Sequence, residues 1–102
     1  MIIHDFNPNE LKEYILKDCV ILDFYADWCG PCKMLSSVLE EYSKSNDKVY
    51  ICKINVDKYI DIAKKFGVMT IPALFLYKEG KLIKNNIGYL SLEELNNWIN
   101  SD

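Results

Sequence analysis

With 102 residues the chain is long enough to enclose one hydrophobic core and too short for two, so a single domain spanning residues 1–102 is expected. Half of the residues are hydrophobic and 26% are charged, which excludes disorder, and no apolar run approaches the roughly 18 residues of a membrane span, so a soluble chain with no membrane partner is expected. The net charge of −3 and the twelve basic residues, all Lys and scattered from Lys12 to Lys84, argue against a nucleic-acid partner.

The first six residues read as a short edge strand. They carry no basic segment followed by a long apolar stretch, so nothing marks export and a cytosolic (cytoplasmic) location is the default expectation. Asn7-Pro8-Asn9-Glu10 then offers an N-cap, a proline at the first helical position and a Glu three residues after the cap, which predicts a helix. Leu11, Tyr14 and Ile15 form its apolar stripe, through about Lys17. Cys19 to Tyr25 is nearly continuous in apolar character, the pattern of a strand covered on both faces, and Asp23 is the one charge within it. An Asp in that position is desolvated, which disfavours its charged form and raises its pKa.

Trp28-Cys29-Gly30-Pro31-Cys32 follows directly. Two thiols separated by two residues can close a small disulfide ring and reopen it. Beyond them, Met34, Leu35, Val38, Leu39 and Tyr42 recur at helical spacing to about Ser45, so Cys29 lies at a strand-to-helix junction. The unsatisfied N–H groups and partial positive charge of a helix N-terminus favour thiolate over thiol there. Cys29 is therefore expected to face outward and act as nucleophile, and Cys32 to be the more buried thiol within the helix. The rival reading is half of a zinc site. Its other half would need His4, or Cys19 and Cys52 from strand interiors, and redox chemistry is the stronger reading; no metal is expected. Cys19 and Cys52 are read as small buried hydrophobes. If Asp23 and Lys53 are level on adjacent strands, they lie too far apart for a disulfide.

Val49 to Val56 reads as a strand, and Ile60, Ala63 and Phe66 as a short helix that Gly67 closes. Ala73 to Tyr77 and Lys81 to Ile87 are strands joined by Lys78-Glu79-Gly80 as a hairpin. Ser91-Leu92-Glu93-Glu94 is a capping box, and Leu92, Leu95, Trp98 and Ile99 give the last helix its apolar face. The order β-α-β-α-β-α-β-β-α predicts an α/β fold with a central mixed sheet of about five strands and helices on both faces.

The chain resembles the thioredoxin family over nearly its whole length, through residues 23–34 (DFYADWCGPCKM), Lys53-Ile54-Asn55-Val56-Asp57, Ile71-Pro72 and Gly88. The resemblance implies the thioredoxin fold and a thiol-disulfide oxidoreductase that reduces protein disulfides through Cys29 and Cys32. It assigns Asp23 the role of proton acceptor for Cys32, with Lys53 nearby. A docking surface for disulfide-containing substrates is implied at Trp28, Gly30, Pro31, Thr70, Ile71, Pro72, Ile87 and Gly88, with Ile71-Pro72 in the cis form and Trp28 partly exposed. A thioredoxin reductase as electron donor, a monomeric state and no bound cofactor are also implied. Gly30-Pro31 lacks the His that related oxidases and isomerases carry, which biases the pair toward a reductant. The alternatives are an oxidase or isomerase, and a binding module on the same scaffold. The chain departs from the family at Ser36-Ser37, where a helix-kinking proline is usual and the helix is expected to be either straighter or bent by back-bonded serines, and at Tyr25, Thr70 and Ala73, where Trp, Gly and Thr are common.

Overall fold

A computed structural model describes residues 2, 3 and 6–101. It contains β1 (Ile2–Ile3), α1 (Leu11–Ile15), β2 (Cys19–Tyr25), α2 (Gly30–Lys44), β3 (Tyr50–Asn55), α3 (Ile60–Lys65), β4 (Ala73–Lys78), β5 (Lys81–Ile87) and α4 (Leu92–Asn100). The strands form one mixed sheet in the order β1-β3-β2-β4-β5. β1, β3 and β2 run parallel, whereas β4 is antiparallel to β2 and β5 to β4. No helix among the described residues is long and apolar enough to cross a membrane. Of the edge strand expected over residues 1–6, Ile2–Ile3 pairs with β3, while positions 1, 4 and 5, His4 among them, lie outside the described residues.

Side chains on a strand alternate between faces, and β2 shows why its apolar run is continuous. Val20, Leu22 and Phe24 pack with Cys52, Ile54 and Phe75 under α1 and α3. Ile21 packs on the opposite face with Ile51, Leu74 and Leu76, under Leu35, Leu39 and Tyr42 of α2 and Leu95 and Ile99 of α4. Asp23 shares the parity of Ile21, so it points to the α2 face. Its register partner on β3 is Lys53, which the resemblance placed nearby, and on β4 it is Leu74. Cys52 and Cys19 pack on opposite faces of the sheet and remain free thiols.

Several boundaries differ from expectation for local reasons. The first helix begins as a 3-10 turn over Pro8–Glu10 and its α-helical part ends at Ile15. Asn7 does cap it, but through Asn9 N–H, two residues on, at 3.0 Å. The Glu10 carboxylate is engaged by the Asn7 side-chain amide and, at 2.8 Å, by the Tyr14 hydroxyl, rather than by the Asn7 backbone. Met34, expected on the apolar face of α2, is 59% exposed; Leu35, Leu39 and Tyr42 carry that face. The β4–β5 turn has two residues, Glu79 and Gly80, because Lys78 still pairs with Lys81. Both have positive φ, 51° and 84°, as the type I′ turn matching strand twist requires. Gly67, with φ 69°, closes α3 as expected, its N–H donating to Lys64 O while Val68 N–H donates to Ala63 O. At α4 the capping box forms in full: Ser91 Oγ accepts from Glu94 N–H at 3.1 Å, and Glu94 Oε1 accepts from Ser91 N–H at 2.9 Å.

Candidate functional site

The site forms where the carboxyl ends of β2 and β3 meet the start of α2. Cys29 is the N-cap of α2 in an extended conformation, with Pro31 in the first turn where a missing N–H costs nothing. Its Sγ accepts from Cys32 N–H at 3.2 Å, so a sulfur takes the place that an oxygen usually occupies at a cap. Cys29 and Cys32 are joined as a disulfide, with Cα atoms 5.2 Å apart. They pack with Ala26 beneath Tyr25, Val56 and Ile71. The expected contrast in exposure is absent in this oxidised form, where Cys29 is 5% and Cys32 3% exposed. What separates them is position: Cys29 sits outside the helix at its positive end, and Cys32 sits within its first turn.

Below the disulfide lies a cleft of about 380 Å³ lined by Tyr25, Ala26, Asp27, Cys32, Lys33, Ser36 and Lys53. Asp23 is 1% exposed, and neither carboxylate oxygen has a hydrogen-bond partner among the described residues. Burial raises its pKa from the usual 3.8 to about 6, and the Lys53 ammonium group opposes that rise only in part. The opposition is partial because Lys53 Nζ stands 3.9 Å from Asp23 Oδ2, a charge pair without a hydrogen bond. The ammonium group instead donates to Ser36 Oγ and lies 4.9 Å over the Tyr25 ring centroid. Ser36 thus accepts a tertiary hydrogen bond from β3, a contact that local spacing in the sequence does not reveal.

The expected docking residues fall at the same end of the molecule. The Ile71-Pro72 bond is cis, Pro72 is buried and Ile71 packs against the cysteine cluster. Gly88 N–H donates to Pro72 O at 2.8 Å, and Ile87 pairs with Ala73, which ties the end of β5 to this turn. Gly30, Pro31, Thr70 and Ile87 are exposed, Gly88 is half-buried, and Trp28 is 71% exposed. Trp28 is fixed in that exposed position by Nε1 donating to Asp57 Oδ2 at 2.8 Å. Asp57 was within reach of the sequence as part of the Lys53–Asp57 segment, but nothing in its spacing announced a partner 29 residues away. Ser36 was noticed only as a departure from the family. Met69, 95% exposed beside Thr70, gave no signal, since single exposed apolar residues are ordinary. Among the described residues no group of three or more His, Cys, Asp or Glu is placed to hold a metal ion.

The thioredoxin family model matches residues 2–101. The chain is 47% identical over 77 residues to a thioredoxin from Alicyclobacillus acidocaldarius subsp. acidocaldarius, covering 74% of this chain and 73% of that one. It is 43% identical over 93 residues to a thioredoxin from Rickettsia typhi, covering 90% and 87%. Among solved structures, a mutant thioredoxin from Halobacterium salinarum NRC-1 superposes with a TM-score of 0.86 at 32% identity, over 99% of this chain and 88% of that one. The oxidised thioredoxin from Plasmodium falciparum gives 0.81 at 30% identity, over 96% and 92%.

Proposed function

The chain belongs to the thioredoxin family and is a thiol-disulfide oxidoreductase; from that premise we propose that it works as a one-domain, monomeric cytoplasmic reductant of protein disulfides, recharged by a thioredoxin reductase. The observation that carries the reading is the Cys29–Cys32 disulfide at the N-cap of α2, directly after the strand that carries a buried carboxylate holding its proton more tightly than an ordinary Asp.

In the reduced protein the Cys29 thiolate attacks one sulfur of a substrate disulfide, forming a mixed disulfide and releasing the other sulfur as a thiolate that takes a proton from solvent. Asp23 accepts the proton of Cys32, directly or through the cleft. Cys32 sulfur then attacks Cys29 Sγ, the Cys29–substrate bond breaks, and the second substrate sulfur leaves and is protonated. Two electrons pass from the dithiol to the substrate, and a reductase returns two. Trp28, Gly30, Pro31, Thr70, Ile71, Pro72, Ile87 and Gly88 form the surface against which substrate docks, and Lys53 tunes Asp23.

Trapping tests this reading. A Cys32→Ser variant should accumulate substrate proteins as mixed disulfides through Cys29, and Asp23→Asn should slow release from Cys29 by tenfold or more, roughly the range of a lost general base. No trapped adducts, together with a reduction potential in the range of oxidases, would overturn it.

A further inference from the structure

Lys53 Nζ has three protons to donate and two side-chain oxygens near it. One is the Ser36 hydroxyl, which it engages; the other is Asp23 Oδ2 at 3.9 Å, which it does not reach. A carboxylate is the stronger acceptor for an ammonium group, so nothing in the pair itself explains the gap. The gap is explained from α2, which presents Ser36 to the same cleft as Lys53, one turn beyond Cys32. We propose that Ser36 is a positioning residue: by accepting a hydrogen bond from Lys53 it holds the ammonium group short of Asp23 and leaves that carboxylate free to take the proton of Cys32.

The inference rests on the reading of Asp23 as proton acceptor. A hydrogen bond from Lys53 to Oδ2 would stabilise the carboxylate and weaken it as a base, whereas an ammonium group held at a distance leaves desolvation dominant. Both side chains are nearly closed off from solvent, 10% exposed for Lys53 and 1% for Asp23, so a Lys53 released from Ser36 has Asp23 Oδ2, 3.9 Å away, as an acceptor within reach. A movement of about 1 Å brings it to hydrogen-bond distance. The other titratable and charged groups that line the cleft with Lys53 and Ser36 are Cys32 and Lys33 from α2, and Tyr25 and Asp27 from β2 and the turn after it; level with Asp23 on β4 is Leu74. Ser36→Ala changes none of them.

The test is titration of the Asp23 carboxyl carbon by NMR in the oxidised protein, where neither active-site thiol titrates, in the parent, Ser36→Ala, Ser36→Thr, Lys53→Met and the Lys53→Met/Ser36→Ala double variant. Alanine favours the helix, so the fold should persist. Ser36→Ala should lower the Asp23 midpoint by about one pH unit, a tenfold loss of proton affinity. Ser36→Thr should restore it, and with Lys53 already removed the serine change should add no shift. In release of the mixed disulfide, Ser36→Ala should move the acid limb of the pH profile down with the midpoint and lower the plateau by about threefold, roughly the square root of the lost affinity. An unchanged or raised midpoint, or an equal shift without Lys53, overturns the proposal. Parental release in Asp23→Asn would instead overturn the role of Asp23 itself, while the titrations still decide whether Ser36 sets the distance of Lys53.

Discussion

At Asp23 the sheet encloses a carboxyl group whose proton is held up to about pH 6, against 3.8 for an ordinary Asp, and the cause is desolvation that Lys53 offsets in part. Between those two values the unfolded chain has released the proton and the folded chain keeps it, so stability falls as pH rises through this window. Below it there is no penalty, and above it the penalty is complete, about 3 kcal/mol for a shift of this size. Urea titrations of Asp23→Asn should therefore show the variant gaining on the parent from pH 4 to pH 6, with a constant difference above pH 7. A difference that is flat from pH 4 upward would mean that the carboxylate is ionised in the fold without cost. The thiols obey the same rule of environment. Burial pushes the Cys52 thiol up to about 12 and, against the charge of Lys78, raises Cys19, which is half-buried rather than buried as expected, so both thiols favour the protonated form. Cys29, at the positive end of α2, should be alkylated first by iodoacetamide in the reduced protein, with mass spectrometry reading the order. Faster labelling of Cys32 would move the nucleophile to the wrong side of the cap.

Helix caps are local, and this decides how well each element could be read. The reciprocal Ser91–Glu94 box spans three residues, was recognisable as a pattern, and forms as written. Ser91→Ala should cost about 1 kcal/mol in equilibrium unfolding and leave disulfide reduction unchanged, since α4 borders the sheet and not the cysteines. At Asn7 a similar pattern misled, because the Glu10 carboxylate had competing partners in the Asn7 amide and Tyr14, and the cap tightened into a 3-10 turn. Period and capping also exposed the order of strands and helices and the junction at Cys29, whereas the nearness of Lys53 to Asp23 came from the family resemblance. They could not expose contacts between elements. The Lys53–Ser36 bond joins β3 to α2 across 17 residues, and Trp28–Asp57 joins the β2–α2 turn to the segment after β3 across 29. Both depend on how α2 and the turn before it lie over the sheet, which no window along the chain encodes. Met34 follows the same logic, since a helix stripe shows which residues can face a sheet but not where the sheet ends.

Across the whole molecule, chemistry and one source of stability lie at opposite ends of the same strands. β2 ends at Tyr25 beside the cysteines and begins at Cys19, which pairs with Lys78 next to the Glu79-Gly80 turn. Six residue-to-residue steps separate the two ends, about 20 Å. Glu79 N–H donates to Asp18 O at 3.2 Å, so the turn is also fastened to the chain entering β2. A side chain at Gly80 meets two objections there: φ of 84° is a conformation that L residues rarely adopt, and its Cβ would lie 3.1 Å from Leu16 Cδ2. The second is minor, because Leu16 is 69% exposed and its tip can move aside. Backbone strain therefore sets the cost, and Gly80→Ala should lower stability by about 1 to 2 kcal/mol. The site end should not register the change, because the strain is relieved in the turn and in the Leu16 tip before it passes through a sheet packed on both faces. Reduction of a protein disulfide, measured well below the unfolding transition, should proceed at the parental rate, while the urea midpoint falls. Loss of activity in step with the midpoint would show that the turn and the cysteines communicate through β2 and β4, and that the two ends of the sheet form one mechanical unit.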